Sequence, residues 1–192
     1  MKKFVFFAII LLFIALTGCN KPYSALDEKG KIKRTFMNYI GLLDKKEYEK
    51  SFDLLYFGHI PKGGNIKMYI QAQKIMDNMC SKIEYQASEP IVSGNLAVMD
   101  LAMIMHYRGK GDRRVKKLIQ VFFVKSGGKW KIVMGQYQIR MKVLKVYPEF
   151  AKNFNLHRDK TFIWENNKWK EIVQNKKEST KISNHTSEVE SN

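Results

Sequence analysis

Two segments near the middle of the chain are apolar on both faces of a strand, and this restricts the fold more than any other feature. In the first, Leu96, Val98, Ala102 and Ile104 fall on one face, and Met99, Leu101, Met103 and Met105 on the other. In the second, Leu118, Phe122 and Val124 oppose Ile119, Val121 and Phe123. An antiparallel sheet with one wet face alternates apolar with polar residues. Here both faces require a cover.

The sequence before these strands supplies one cover. Ile32, Phe36, Tyr39, Ile40 and Leu43 recur at spacings of three and four, one face of a helix. Lys45 and Lys46 interrupt the pattern, and Tyr48, Phe52 and Leu55 continue it in a second short helix. Pro61 with Gly63-Gly64 breaks the chain, and Asn65 is placed to cap a third helix. Its apolar face runs through Ile66, Tyr69, Ile70, Gln73, Met76, Met79, Cys80 and Ile83. After Ile83 the period falls to two. Strands are expected over Glu84–Val92, Leu96–Tyr107, Val115–Val124 and Trp130–Val143, separated by Gly-containing turns. Helices followed by an antiparallel meander make an α+β fold.

The N-terminus is read separately. Met1-Lys2-Lys3 precedes an unbroken apolar run of thirteen residues, Phe4 to Leu16. That is too short to span a bilayer and fits an export signal. Leu16-Thr17-Gly18-Cys19 resembles the bacterial lipoprotein box. The resemblance implies cleavage of residues 1–18 and a diacylglycerol on Cys19, with palmitate-type acyl chains holding the protein to the membrane. Residues 19–24 form a short lipidated linker. With Asn20 after the lipidated cysteine, the resemblance implies the outer membrane, facing the periplasm, in a cell with two membranes. Cys80 is then the remaining thiol, and its apolar neighbours make it a core residue.

Gly41-Leu42-Leu43-Asp44-Lys45-Lys46-Glu47-Tyr48-Glu49-Lys50-Ser51-Phe52 is similar to the opening of nuclear transport factor 2-like domains. Trp130-Lys131-Ile132 after a glycine turn fits the same pattern. The resemblance covers residues 25–146 and includes the lumazine-binding-like domains of small lipoproteins. It implies a curved antiparallel sheet wrapped around the N-terminal helices as a cone. It assigns no function, since the superfamily holds enzymes, transport factors and assembly domains.

Residues 147–173 depart from that pattern. Phe150, Phe154, Phe162, Trp164 and Trp169 form an aromatic extension, with a hairpin across Glu165-Asn166-Asn167. The second sheet face is covered either by this extension or by another copy of the chain in a homodimer. Residues 174–192 are polar and read as a disordered tail.

The formal net charge is +16. Between residues 101 and 148, twelve basic side chains face one acid, Asp112. Arg108, Lys110, Arg113, Arg114, Lys116, Lys117, Arg140, Lys142 and Lys145 are candidates for a basic rim at turns and strand ends. Such a rim fits an anionic lipid or polymer, or an envelope protein; the alternative is an ordinary solvated surface. Nucleic acid is disfavoured, because no binding motif is present.

Catalytic signals are sparse. Two cysteines exclude a four-cysteine metal site, and the four histidines have no zinc-ligand spacing. No cofactor or catalytic residue is assigned. Asp100 is the one acid inside an apolar strand, and it shares a face with His106. Together they are the candidate pocket for a small ligand, or for hydrolase- or isomerase-like chemistry using a carboxylate base. The leading expectation is a binding or assembly module at the membrane surface.

Overall fold

The computed structural model describes residues 22–56, 65–109, 111, 113–133 and 143–172. The export signal, Cys19, the Pro61–Gly64 break, Lys110, Asp112, Arg140, Lys142 and the tail from 173 onward lie outside the described residues.

A 3-10 turn, Tyr23–Ala25, leads into helix α1, Glu28–Asp44. The Asp27 carboxylate caps α1 by accepting from the Gly30 backbone N–H at 2.8 Å. The chain leaves α1 through Lys46, at φ 59°, and enters helix α2, Tyr48–Phe52. Strand β1, Leu55–Tyr56, follows. Helix α3, Ile66–Met79, is capped by Asn65, whose side chain accepts from Lys67 N–H at 3.1 Å. Strands β2 (Cys80–Ala87), β3 (Ile91–Ser93), β4 (Leu96–Tyr107), β5 (Arg114–Ser126) and β6 (Lys129–Val133) come next. Helix α4 (Glu149–Asn153) and strands β7 (Lys160–Glu165) and β8 (Lys168–Glu171) complete the described chain.

The strands form one curved, open, eight-stranded sheet, so the architecture is α+β. Long β4 and β5 pair antiparallel along their whole lengths, from Leu96↔Val124 to His106↔Arg114. Each then takes two partners in series. β4 pairs with β3 near its start and with β2 beyond Leu101. β5 pairs with β7 near its start and with β6 near its end.

Three details differ from the sequence reading. Strand β1 runs parallel to β6, so the sheet is not purely antiparallel. Cys80 opens β2 and does not continue the helical face of α3. The strand expected over Glu84–Val92 is split, because Pro90, lacking an N–H, sits between β2 and β3.

Side-chain alternation divides the core in two. On one face Ala97, Met99, Leu101, Val121, Phe123, Trp130 and Ile132 pack against Ile32, Phe36 and Ile40 of α1 and Tyr69 of α3. On the other face Leu96, Val98, Phe122, Val124 and Val133 meet Val143, Phe150 and Phe154. Phe150 stacks on Phe122, with centroids 4.8 Å apart and planes 16° apart. The aromatic extension therefore divides its labour. Phe150 and Phe154 enter this second core, while Phe162, Trp164 and Trp169 lie on the β7–β8 hairpin that widens the sheet.

Candidate functional site

The second face continues beyond the cover of α4. Strand alternation carries Asp100, Ala102, Ile104 and His106 of β4 onto it, opposite Gln120, Leu118, Lys116 and Arg114 of β5. Strand β7 adds Phe162 beside Lys116, and the β7–β8 hairpin pairs Trp164 with Trp169. Asn166 and Asn167 hold that hairpin's two-residue turn at φ 52° and 58°, a conformation asparagine tolerates. All three aromatics are half-buried.

Cations lie on these rings. The Arg114 guanidinium is 4.2 Å from the Trp164 centroid. Lys116 Nζ is 5.0 Å from Phe162 and 5.1 Å from Trp169. The two indoles meet edge-on at 5.1 Å. The cation–aromatic contacts hold the two basic side chains over a shared platform instead of leaving them to solvent. No sequence motif announces this arrangement; it depends on β7 pairing with the start of β5.

The other candidates of the basic rim are distributed. Arg108, at the β4–β5 turn, donates from Nε to the Cys80 carbonyl at 3.0 Å and the Asp77 carbonyl at 3.4 Å. It thereby ties the end of α3 to the turn. Arg113 lies 5.6 Å from the Tyr107 ring. Lys117 alternates to the face opposite Arg114 and Lys116. Lys145 belongs to a helical turn over 143–146, whose Val143 packs beside Leu96 and Val124 at the far end of β4 and β5. Lys110, Arg140 and Lys142 are outside the described residues. The structure brings Arg114 and Lys116 together and separates them from Lys117 and Lys145.

Asp100 and His106 share the predicted face but not a contact. His106 Nε2 lies 2.9 Å from Glu84 Oε1, across the β2–β4 pairing. Asp100 Oδ1 instead lies 3.1 Å from His157 Nε2 and accepts from Gln120 Nε2 at 3.1 Å. Its side chain is 59% exposed, so it is not an enclosed carboxylate. Gln120 is buried and completes the cluster: it also donates to the Asn155 carbonyl at 3.2 Å and accepts from the His157 backbone N–H at 2.9 Å. An open groove of about 480 Å³ runs past Ser88, Asp100, His157 and Lys160, and His106 does not line it. Sequence reasoning missed His157, because 57 residues separate it from Asp100.

Two further groups bound the chemistry. Among the described residues no three His, Cys, Asp or Glu side chains are grouped to hold a metal ion. Cys80 is buried against Met105 and Val115, and burial pushes its thiol pKa up, away from a reactive thiolate.

No protein-family model matches the chain, and no curated protein does. Among solved structures, a Campylobacter jejuni protein described as an NTF2-like transpeptidase is similar over 50% of this chain and 92% of its own, at 13% identity and a TM-score of 0.32.

Proposed function

We propose that this chain is an envelope lipoprotein whose domain binds anionic partners at the membrane surface. The Leu16-Thr17-Gly18-Cys19 box supports the anchor, with the lipid on Cys19. Helices α1 to α3 against one face of a long-stranded sheet support the nuclear transport factor 2-like reading of residues 25–146. The observation that carries the function is the platform of Arg114 and Lys116 on Trp164, Phe162 and Trp169. Guanidinium and ammonium groups take phosphate or carboxylate oxygens, and the rings offer an apolar floor beside them.

The test is sedimentation of a chain beginning after Cys19 with anionic and with neutral vesicles, at low and at high salt. Selective binding to the anionic vesicles that weakens with salt is expected. The Arg114→Ala, Lys116→Ala double variant should lose most of it. Equal binding to both vesicles, or binding indifferent to salt, would overturn the proposal.

A second reading is favoured by the His157–Asp100 contact beside the open groove: a small-ligand or hydrolytic pocket using those two groups. Loss of ligand binding in both Asp100→Asn and His157→Ala, with the platform variant unaffected, would select it.

A further inference from the structure

An open groove of about 650 Å³ lies between α1 and the start of β6, apart from the sites described above. It is not the space between helices and sheet, which Phe36, Met99 and Phe123 fill. Strand pairing explains why it is open. β1 pairs only with Ile132 and Val133, so it leaves Lys129, Trp130 and Lys131 bordering the groove. Arg34 and Met37, three residues apart and both exposed, line it from one face of α1. Tyr23, in the 3-10 turn ahead of α1, lines it as well.

Charge identifies the ligand. Arg34, Lys129 and Lys131 line the groove, and no carboxylate does. The Lys131 ammonium donates to the Asp53 carbonyl, a neutral acceptor that fixes the side chain without cancelling its charge. Glu28, which accepts from the Trp130 indole, is already matched by Lys31 and Lys125 and does not offset these cations. A concave site lined by charge of one sign concentrates the opposite ion. Guanidinium and ammonium groups together select phosphate or carboxylate oxygens.

The remaining lining is apolar. Met37 is 65% exposed, and Tyr23 and Trp130 present ring atoms. A bare inorganic ion would leave that surface wet, whereas an anion carried on an apolar body would cover it. The volume is that of a small-molecule site. We infer that this groove binds a small organic anion, a phosphate ester or carboxylate on an apolar body. The site is separate from the platform of Arg114 and Lys116. Lys129 pairs with Ser126 at the far end of β5, ten residues or about 33 Å beyond Lys116.

A chain from Asn20 to Asn192, which holds every described residue, tests it by the NMR shift of the Trp130 indole N–H. 1-Naphthyl phosphate should shift that resonance saturably. 1-Naphthol, the same body without the charge, and inorganic phosphate, the charge without the body, should each bind at least tenfold more weakly. Dihexanoyl phosphatidate against the naphthyl ester separates a lipid headgroup from a free ester: the tighter binder names the source. Arg34→Ala with Lys129→Ala should weaken the naphthyl ester at least tenfold without moving the thermal midpoint; Lys131 is kept because it holds the Asp53 carbonyl. The Arg114→Ala, Lys116→Ala chain should bind it unchanged. No saturable shift, naphthol binding as tightly as its phosphate, or inorganic phosphate binding as tightly as the ester would overturn the inference. So would loss of the shift in the platform variant, since the probe would then sit at the other end of β5.

Discussion

The indole N–H of Trp130 donates to the Glu28 carboxylate at 2.8 Å, joining the first residue of α1 to the second residue of strand β6. Trp130 is 1% exposed, so its N–H has no ready substitute acceptor. The same Glu28 oxygen accepts from Lys125 Nζ at 2.8 Å, and the other accepts from Lys31 Nζ at 2.8 Å. Glu28→Ala should therefore cost about 1–3 kcal/mol in urea unfolding, chiefly by stranding the indole donor. Glu28→Gln keeps an acceptor there and should cost less.

The same site predicts an acid limit. The Lys125 ammonium, then Lys31, hold the Glu28 carboxyl down from 4.5 to about 2, against the opposing effect of burial. A carboxyl depressed in the folded state contributes stability above its unfolded pKa and loses it as pH falls through the folded value. The stability difference between the unsubstituted chain and Glu28→Gln should thus be full above about pH 4.5 and shrink toward pH 2. Urea titrations at a series of pH values measure it, and a difference constant over that window would contradict the assignment.

The alkaline side has a separate origin. A hydrogen bond to Asp77 raises Tyr48 to about 12, and burial raises Tyr85 to about 12. Burial, with the Tyr147 hydroxyl beside it, brings Tyr56 to about 12. Burial also moves Tyr39 upward. These groups stay protonated in the folded state after they would ionise in the unfolded chain. Their contribution is full below pH 10 and is lost as pH rises toward 12. Tyr48→Phe should flatten that decline relative to the unsubstituted chain.

Removing the Phe150 ring should be the most damaging single change on the second face. The residue is fully buried and stacks on Phe122 while touching Phe154 and Tyr147. Phe150→Ala should cost about 3–5 kcal/mol. A chain spanning residues 20–146 would also expose Phe122 and Val124, and should self-associate more than one ending at residue 174. Equal monomeric behaviour of the two would mean that α4 is not the cover that matters.

The parts legible in the sequence were those set by local pattern. Asn65 as a cap, the Lys45-Lys46 break and the two-faced strands each follow from neighbours a few residues apart. The parts that were not legible depend on pairing between distant segments. Leu55 meets Ile132 in a parallel pair that no periodicity announces. Alternation places Asp100 and His106 on one face, yet the face is wide. Each finds a nearer partner on an adjacent segment: Glu84 for His106, and Gln120 with His157 for Asp100. Arg114 and Lys116 stood out only as two of many basic residues until the β7–β8 hairpin put aromatic rings beneath them.

Gln120 decides how the chain between α4 and β7 is held on the sheet. Its carboxamide makes two bonds to that connection, one to the Asn155 carbonyl and one from the His157 backbone N–H. The His157 ring adds the contact with Asp100 from an exposed position. If the buried amide dominates, Gln120→Leu strands both backbone groups at about 1–3 kcal/mol, while His157→Ala leaves them bonded and costs less. Hydrogen exchange at the His157 amide should then accelerate in Gln120→Leu, with the β4–β5 core still protected. The reverse order of the two variants would place the anchorage in the imidazole–carboxylate pair.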